Sequence, residues 1–290
     1  MSDTTASGAT QSLGIGSIIS ESFSLSFANF FKLLAVIIIP YILMGVAGFL
    51  LLGSMLSPDM LSDQVALEQV MADPTFLVMY FLFLVIMVFI SSFMIAAATK
   101  VIFDAKTGGS GSLGAAFSVG FSRAVQLFVT MLVLYIGIVI VFAIFGAIFG
   151  VLAGATGVGA IGIVAMIAIV VAALWVMGAI MPFTAVVVLE NRWVSAIGRS
   201  FSLTKGYRWW NVLLVVLFSL VLIVFYIVVA LVGGVATMLG TVGFVLAAIV
   251  AVVAMVIIVG AMTGMYTLDY ARLREIKEGT SLGAIGDVFD

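Results

Sequence analysis

The 290-residue chain has no cysteine and no histidine, only four prolines, and little charge: 11 Lys and Arg against 13 Asp and Glu. Without histidine it lacks the commonest proton shuttle and metal ligand. The absence of cysteine removes disulfides and fits a reducing compartment without demanding one. General acid and base work needs a positioned His, carboxylate or Lys, and the long apolar stretches hold none of these. No metal, cofactor or nucleic-acid partner is expected, and no enzyme activity.

What the chain has is apolar side chain: 65% of residues are hydrophobic and mean hydropathy is +1.41, far more than a soluble domain of this length can hide. A helix crosses a hydrocarbon core of about 30 Å in about 20 residues. Lys32 to Asp59 and Asp73 to Lys100 each enclose 26 uncharged residues, one span apiece. The runs between Arg123 and Glu190 (66 residues) and between Arg208 and Asp269 (60 residues) are too long for one straight helix and must each fold into a hairpin. Glycine clusters at 150–162 and 233–243 mark the turns. Alternating ten-residue strands are absent, which excludes a barrel. The expected fold is an all-α membrane protein with six spans at roughly 33–55, 76–99, 125–151, 160–187, 210–232 and 243–267.

With six spans, all 11 cations fall on one side, together with both termini, and the first loop of the other side carries only Asp59, Asp63, Glu68 and Asp73. Short loops rich in Lys and Arg stay inside, so both termini are expected in the cytoplasm of a bacterial inner-membrane protein. Residues 1–12 are polar, lack a basic n-region and read as a loose tail rather than a signal peptide. A second tail is expected at 280–290.

Internal similarity divides residues 13–279 of this single membrane domain into three parallel copies, about 13–107, 108–192 and 193–279. Ser22-Phe23-Ser24-Leu25, Ala116-Phe117-Ser118-Val119 and Ser200-Phe201-Ser202-Leu203 each precede an odd-numbered span. An acid with a cation two or three residues on closes each hairpin: Asp104 with Lys106, Glu190 with Arg192, Asp269 with Arg272. These are expected to be interfacial ion pairs, with Lys100 as another partner for Asp104; the alternative brings the three acids together around a pseudo-threefold axis. Apolar residues at helical spacing (Ile15, Ile18, Ile19, Phe23; Leu113, Phe117, Phe121; Val194, Ile197, Phe201) predict an interfacial amphipathic helix ahead of each hairpin.

Within Arg199 to Asn211 the chain gathers Arg199, Lys205, Arg208, Tyr207, Trp209 and Trp210. Such a cluster suits the inner end of a span, where cations hold the loop in and amphipathic rings line the interface. The same Arg199, Lys205, Arg208, Trp209 and Trp210 also make a candidate site for an anionic lipid headgroup, since each cation near the surface is worth about 1 kcal/mol against anionic lipid. Gly146, Gly150 and Gly154, and Gly260 with Gly264, repeat at four-residue spacing, which lets helix backbones approach in lipid. They serve either internal packing or a docking ridge for a membrane-protein partner or a second copy. Pro40 and Pro182 are expected to kink spans one and four.

The stretch AIGRSFSLTKGYRWWNVLLVV, preceded by VVVLENRW and followed by YTLDYARLREIKEG, resembles the membrane domain that precedes the catalytic domain in some bacterial glycerophosphodiester phosphodiesterases, and stand-alone relatives of that domain. The matching residues are Arg199, Ser200, Phe201, Leu203, Thr204, Lys205, Gly206 and Trp209, then Tyr270, Arg272, Arg274, Lys277, Glu278 and Gly279. The resemblance implies a six-span helical domain of poorly defined role, and the 21 residues after Asp269 leave no room for a catalytic barrel. The expected function is a non-catalytic scaffold, accessory or regulatory module of a membrane complex, in contact with anionic lipid at its cytoplasmic face. The alternative is an uncoupled transporter or flippase of a lipid-like or apolar substrate.

Overall fold

The structure, a computed structural model, describes residues 12–53, 55, 64–109, 111–156 and 159–279; both expected tails otherwise lie outside these residues, as do Asp59 and Asp63. Among the described residues there are ten helices and no strand: α1 (Ile15–Ala28), α2 (Phe30–Leu52), α3 (Gln64–Ala72), α4 (Pro74–Thr107), α5 (Leu113–Thr156), α6 (Gly159–Ile180), α7 (Phe183–Leu189), α8 (Ser195–Leu203), α9 (Arg208–Thr237) and α10 (Gly240–Glu278). Six segments are long and apolar enough to cross a membrane: α2, α4, α5, the broken pair α6–α7, α9 and α10. The protein is thus an all-α, six-span chain, as its uncharged runs predict.

Helix boundaries follow local chemistry. Asp73 caps α4, its carboxylate accepting the Thr75 backbone N–H at 2.6 Å, with Pro74 at the first helical position where a missing N–H costs nothing. That hydrogen bond to the ionised form holds the Asp73 pKa below the usual carboxylate value. Asn29 leaves helical geometry (φ −111°, ψ 23°) and its amide donates to Leu25 O at 3.0 Å, separating α1 from α2. Gly206, at φ 89°, lets the chain turn from α8 into α9.

The second expected amphipathic segment departs from expectation. Residues 113–123 are not a separate interfacial helix but the first turns of α5, which runs for 44 residues, about 66 Å, beyond what one membrane crossing needs. Nothing there plays the part of Asn29 or Gly206. Gly120 instead lets α5 lie against α4: a Cβ at that position would stand 2.8 Å from the Phe93 ring.

The core gathers toward the end of the molecule that carries the cations. There α10 packs on α1, α2 and α9, while α4 packs on α2, α5 and α7. Leu33, Val36, Ile37, Ile102, Leu127, Leu203, Leu214 and Tyr270 are fully enclosed. Of the expected apolar face of α1, Ile18 is buried, and Ile15, Ile19 and Phe23 pack partly against the core. Ser22 and Ser26 are buried too, and both meet α10 where Gly264 and Gly260 leave room. Each serine donates to the carbonyl four residues back at 2.7 Å, so the close approach strands no hydroxyl. Away from this end α5, α6 and α9 present mostly apolar side chain outward; 17% of each spanning window is buried, against 28% for α2 and α4.

Candidate functional site

Pro182 organises the polar centre of the molecule. Proline cannot donate an N–H, so the carbonyl of Gly178, four residues earlier, loses its helical partner and the span breaks between α6 and α7. Side chains from 200–211 occupy the break. Asn211 Nδ2 donates to Gly178 O at 3.0 Å, while Ser200 Oγ and Thr204 Oγ1 donate to Ala179 O at 2.9 and 3.1 Å. All three residues are 0% exposed. Gly178 permits this docking, because a Cβ there would run into the Arg208 carbonyl oxygen. The kink expected at Pro182 is therefore a joint, filled by α8 and the start of α9. Pro40, by contrast, lies inside an uninterrupted α2.

Asp269 belongs to this joint. Its carboxyl is fully enclosed and accepts the second amide hydrogen of Asn211, Nδ2 to Oδ2 3.3 Å; its Oδ1 and Asn211 Oδ1 have no partner. The expected pair with Arg272 does not form. Asp269 turns into the bundle toward α9, whereas Arg272 pairs with Glu275 and donates to Ser12 O at 3.2 Å. A second correction concerns Lys106, which pairs with Glu21 of α1, while Lys100 holds Asp104 at 2.8 Å, one helical turn away.

A second polar cluster lies at the exit of α7. Glu190 accepts Arg199 Nε at 3.1 Å on both oxygens, Arg192 Nε at 2.9 Å and the Tyr270 hydroxyl at 3.1 Å. Arg199 also reaches Glu278, and Arg274 closes the ring by donating to Glu278 at 2.8 Å and to the Tyr270 oxygen at 3.1 Å. Burial opposes the charge of Arg199, but its hydrogen bond to Glu278 and the attraction of Glu190 outweigh it and hold its pKa above the usual value. The ring ties α7, α8 and α10 together. Asp104, Glu190 and Asp269 are each taken up by their own partners, and among the described residues no group of three or more His, Cys, Asp or Glu is placed to hold a metal.

Of the five candidate headgroup residues, Arg199 and Arg208 have partners of their own. Arg199 is committed to the carboxylate ring. Arg208 lies over Trp175, its guanidinium carbon 4.1 Å from the ring centroid and 5.3 Å from that of Phe201, with Nη2 donating to Phe201 O at 3.2 Å. Lys205, Trp209 and Trp210 are exposed. Tyr207 is buried, with the Lys277 ammonium 5.3 Å from its ring centroid.

Beside Arg208 begins a groove of about 360 Å³ between α5 and α6. Phe142, Phe145 and Phe149 form one wall, Ala168, Ala172 and Val176 the other, and Ile197 and Phe201 of α8 close the charged end. Every lining side chain is apolar. Farther along the hairpin Gly146 and Gly150 border a second groove of about 300 Å³ with Gly162, Ala165 and Met166. A Cβ at Gly146, Gly150 or Gly154 would meet nothing within 4 Å, so this ridge is not used for internal packing. Gly260 and Gly264 are, with Ser22, Ser26 and Leu33 against them.

Sequence reasoning passed over Asn211, Trp175 and Glu21, and knew Tyr270 and Glu278 only through the resemblance. One signal was present: Pro182 strips a donor from Gly178 O, and Asn211 is the lone amide in a long uncharged run. Comparison of the chain with protein-family models, curated proteins and solved structures finds no match.

Proposed function

We propose that the protein is a multi-pass protein of a bacterial inner membrane, both termini cytoplasmic, acting as a non-catalytic scaffold, accessory or regulatory module of a membrane complex. The carrying observation is the contrast among its glycines. Gly120, Gly178, Gly260 and Gly264 each have a neighbour where a Cβ would be, whereas Gly146, Gly150 and Gly154 face open space along α5. In lipid a glycine stripe gains stability only when another helix seats on it, so the ridge suits a partner's transmembrane helix or a second copy. Resemblance to a domain that elsewhere accompanies an enzyme favours the same reading. Exposed Lys205, Trp209 and Trp210 favour contact of the cytoplasmic face with anionic lipid.

Photo-crosslinking in native membranes tests this reading, with a photoreactive residue at position 150. A discrete protein adduct that disappears when Gly146 and Gly154 are both changed to Leu supports docking on the ridge. Adducts to lipid alone would sink it.

A second reading, uncoupled movement of a lipid-like substrate, is favoured by groove length. Val133 to Phe149 covers 16 helical steps, about 24 Å of a hydrocarbon core of about 30 Å. Labelled-lipid exchange between leaflets of reconstituted vesicles, no faster than in protein-free vesicles, would remove it.

A further inference from the structure

Arg208 and the α5–α6 groove share Phe201, which lines the groove and lies beneath the guanidinium. We propose that together they form one site for an anionic glycerophospholipid, its phosphate on Arg208 and one acyl chain along the phenylalanine wall of α5. This rests on the lipid contact proposed above and narrows it from a cluster of cations to a single arginine with an adjoining groove.

Three observations identify the occupant. The groove offers no polar side chain along about 24 Å of α5, so a sugar, nucleotide or peptide backbone entering it would bury unpaired polar atoms. An extended hydrocarbon chain loses nothing there. Next, among the described residues Arg208 has no carboxylate partner: Arg192, Arg199, Arg272 and Arg274 each hold a carboxylate and Arg123 holds the Asn191 amide oxygen, whereas Arg208 donates to the Phe201 carbonyl and its Nε has no acceptor. A phosphate supplies the missing charge and accepts parallel hydrogen bonds from a planar guanidinium. Finally, contact with Trp175 holds the Arg208 head over the ring beforehand, which lowers the ordering cost of binding. Trp209 and Trp210, exposed beside it, mark the depth at which a headgroup sits.

The test is native mass spectrometry of the full chain, delipidated and then titrated with dioleoyl phosphatidylglycerol, with Arg208→Gln, Lys205→Gln and Ala172→Trp prepared in parallel. Arg208→Gln and Ala172→Trp, which plugs the groove without touching the cation, should each weaken the first bound lipid about tenfold, the cost of roughly one charge-assisted hydrogen bond or one lost chain seat. Lys205→Gln should leave it unchanged. Ala168→Phe fills the same groove should Ala172→Trp fold poorly. Equal losses from the two charge variants would reduce the effect to general surface attraction. An unaltered affinity in both groove-filling variants would mean ordinary annular lipid. Either result overturns the proposal, and neither bears on docking at the α5 ridge, which the crosslink at position 150 reads separately.

Discussion

Gly178 and Gly150 are the same residue in two differently built regions. At the charged end, a methyl group on Gly178 would collide with backbone of the next span, and the carbonyls of Gly178 and Ala179 accept from side chains of two other helices. On the α5–α6 hairpin a methyl group on Gly150 would meet nothing. The first region is stabilised from within. The second leaves apolar surface uncovered, which in a membrane carries no penalty for being exposed to tails.

Gly178→Ala against Gly150→Ala is the sharpest way to break this comparison. The first should cost about 3 kcal/mol or more as α9 is pushed off the joint, and the second should stay within about 0.5 kcal/mol. Thermal unfolding in lipid nanodiscs reads both; similar losses would mean the two regions are not built differently.

Asn211→Leu against Asp269→Asn is the next largest contrast. The leucine removes the donor from both Gly178 O and Asp269 Oδ2 and should cost about 2 to 4 kcal/mol, since two buried acceptors are left without partners. Asp269→Asn removes a carboxyl that has no counter-ion among the described residues and adds an amide donor beside the unpartnered Asn211 Oδ1; its cost should be below about 1 kcal/mol. A large loss from Asp269→Asn alone would show that the charge is needed.

Tyr270→Phe probes the carboxylate ring and should cost about 1 to 2 kcal/mol through the hydroxyl shared by Glu190 and Arg274, with the hairpin unaffected in hydrogen exchange.

The smallest effect belongs to Asp73→Ala, which uncaps α4 and should speed amide exchange in its first turn alone. Because the folded-state pKa of Asp73 is depressed, its capping is complete above the usual carboxylate value and is lost as pH falls through the lower folded value. Protection there, the exchange rate relative to its intrinsic value at each pH, should not change between pH 7 and pH 5.5; a loss of protection in that window would contradict the cap.

Charge spacing was enough to read six spans, because each carries its own signal in an uncharged run and no distant residue is needed to make it a helix. The second amphipathic segment was misread for a local reason: its apolar period is helical in either case, and only the lack of a break after Phe121 shows that it joins α5. The ion pairs divide along the same line. Lys100 and Asp104 are one turn apart on one helix, so sequence spacing finds them. Lys106 with Glu21, and Arg199 with Glu278, come from different helices, and no spacing relates them.

By itself the sequence determined where helices run, that six of them suit a bilayer, and that Pro182 must leave a carbonyl unpaired. The tertiary structure decided that Asn211 meets that carbonyl, that Asp269 faces inward, and that one glycine stripe is filled while the other is open. The physical reason is range. Hydropathy and backbone valence act within a few residues, while the partner of a buried polar atom depends on which helix face is turned toward it once the whole bundle has packed.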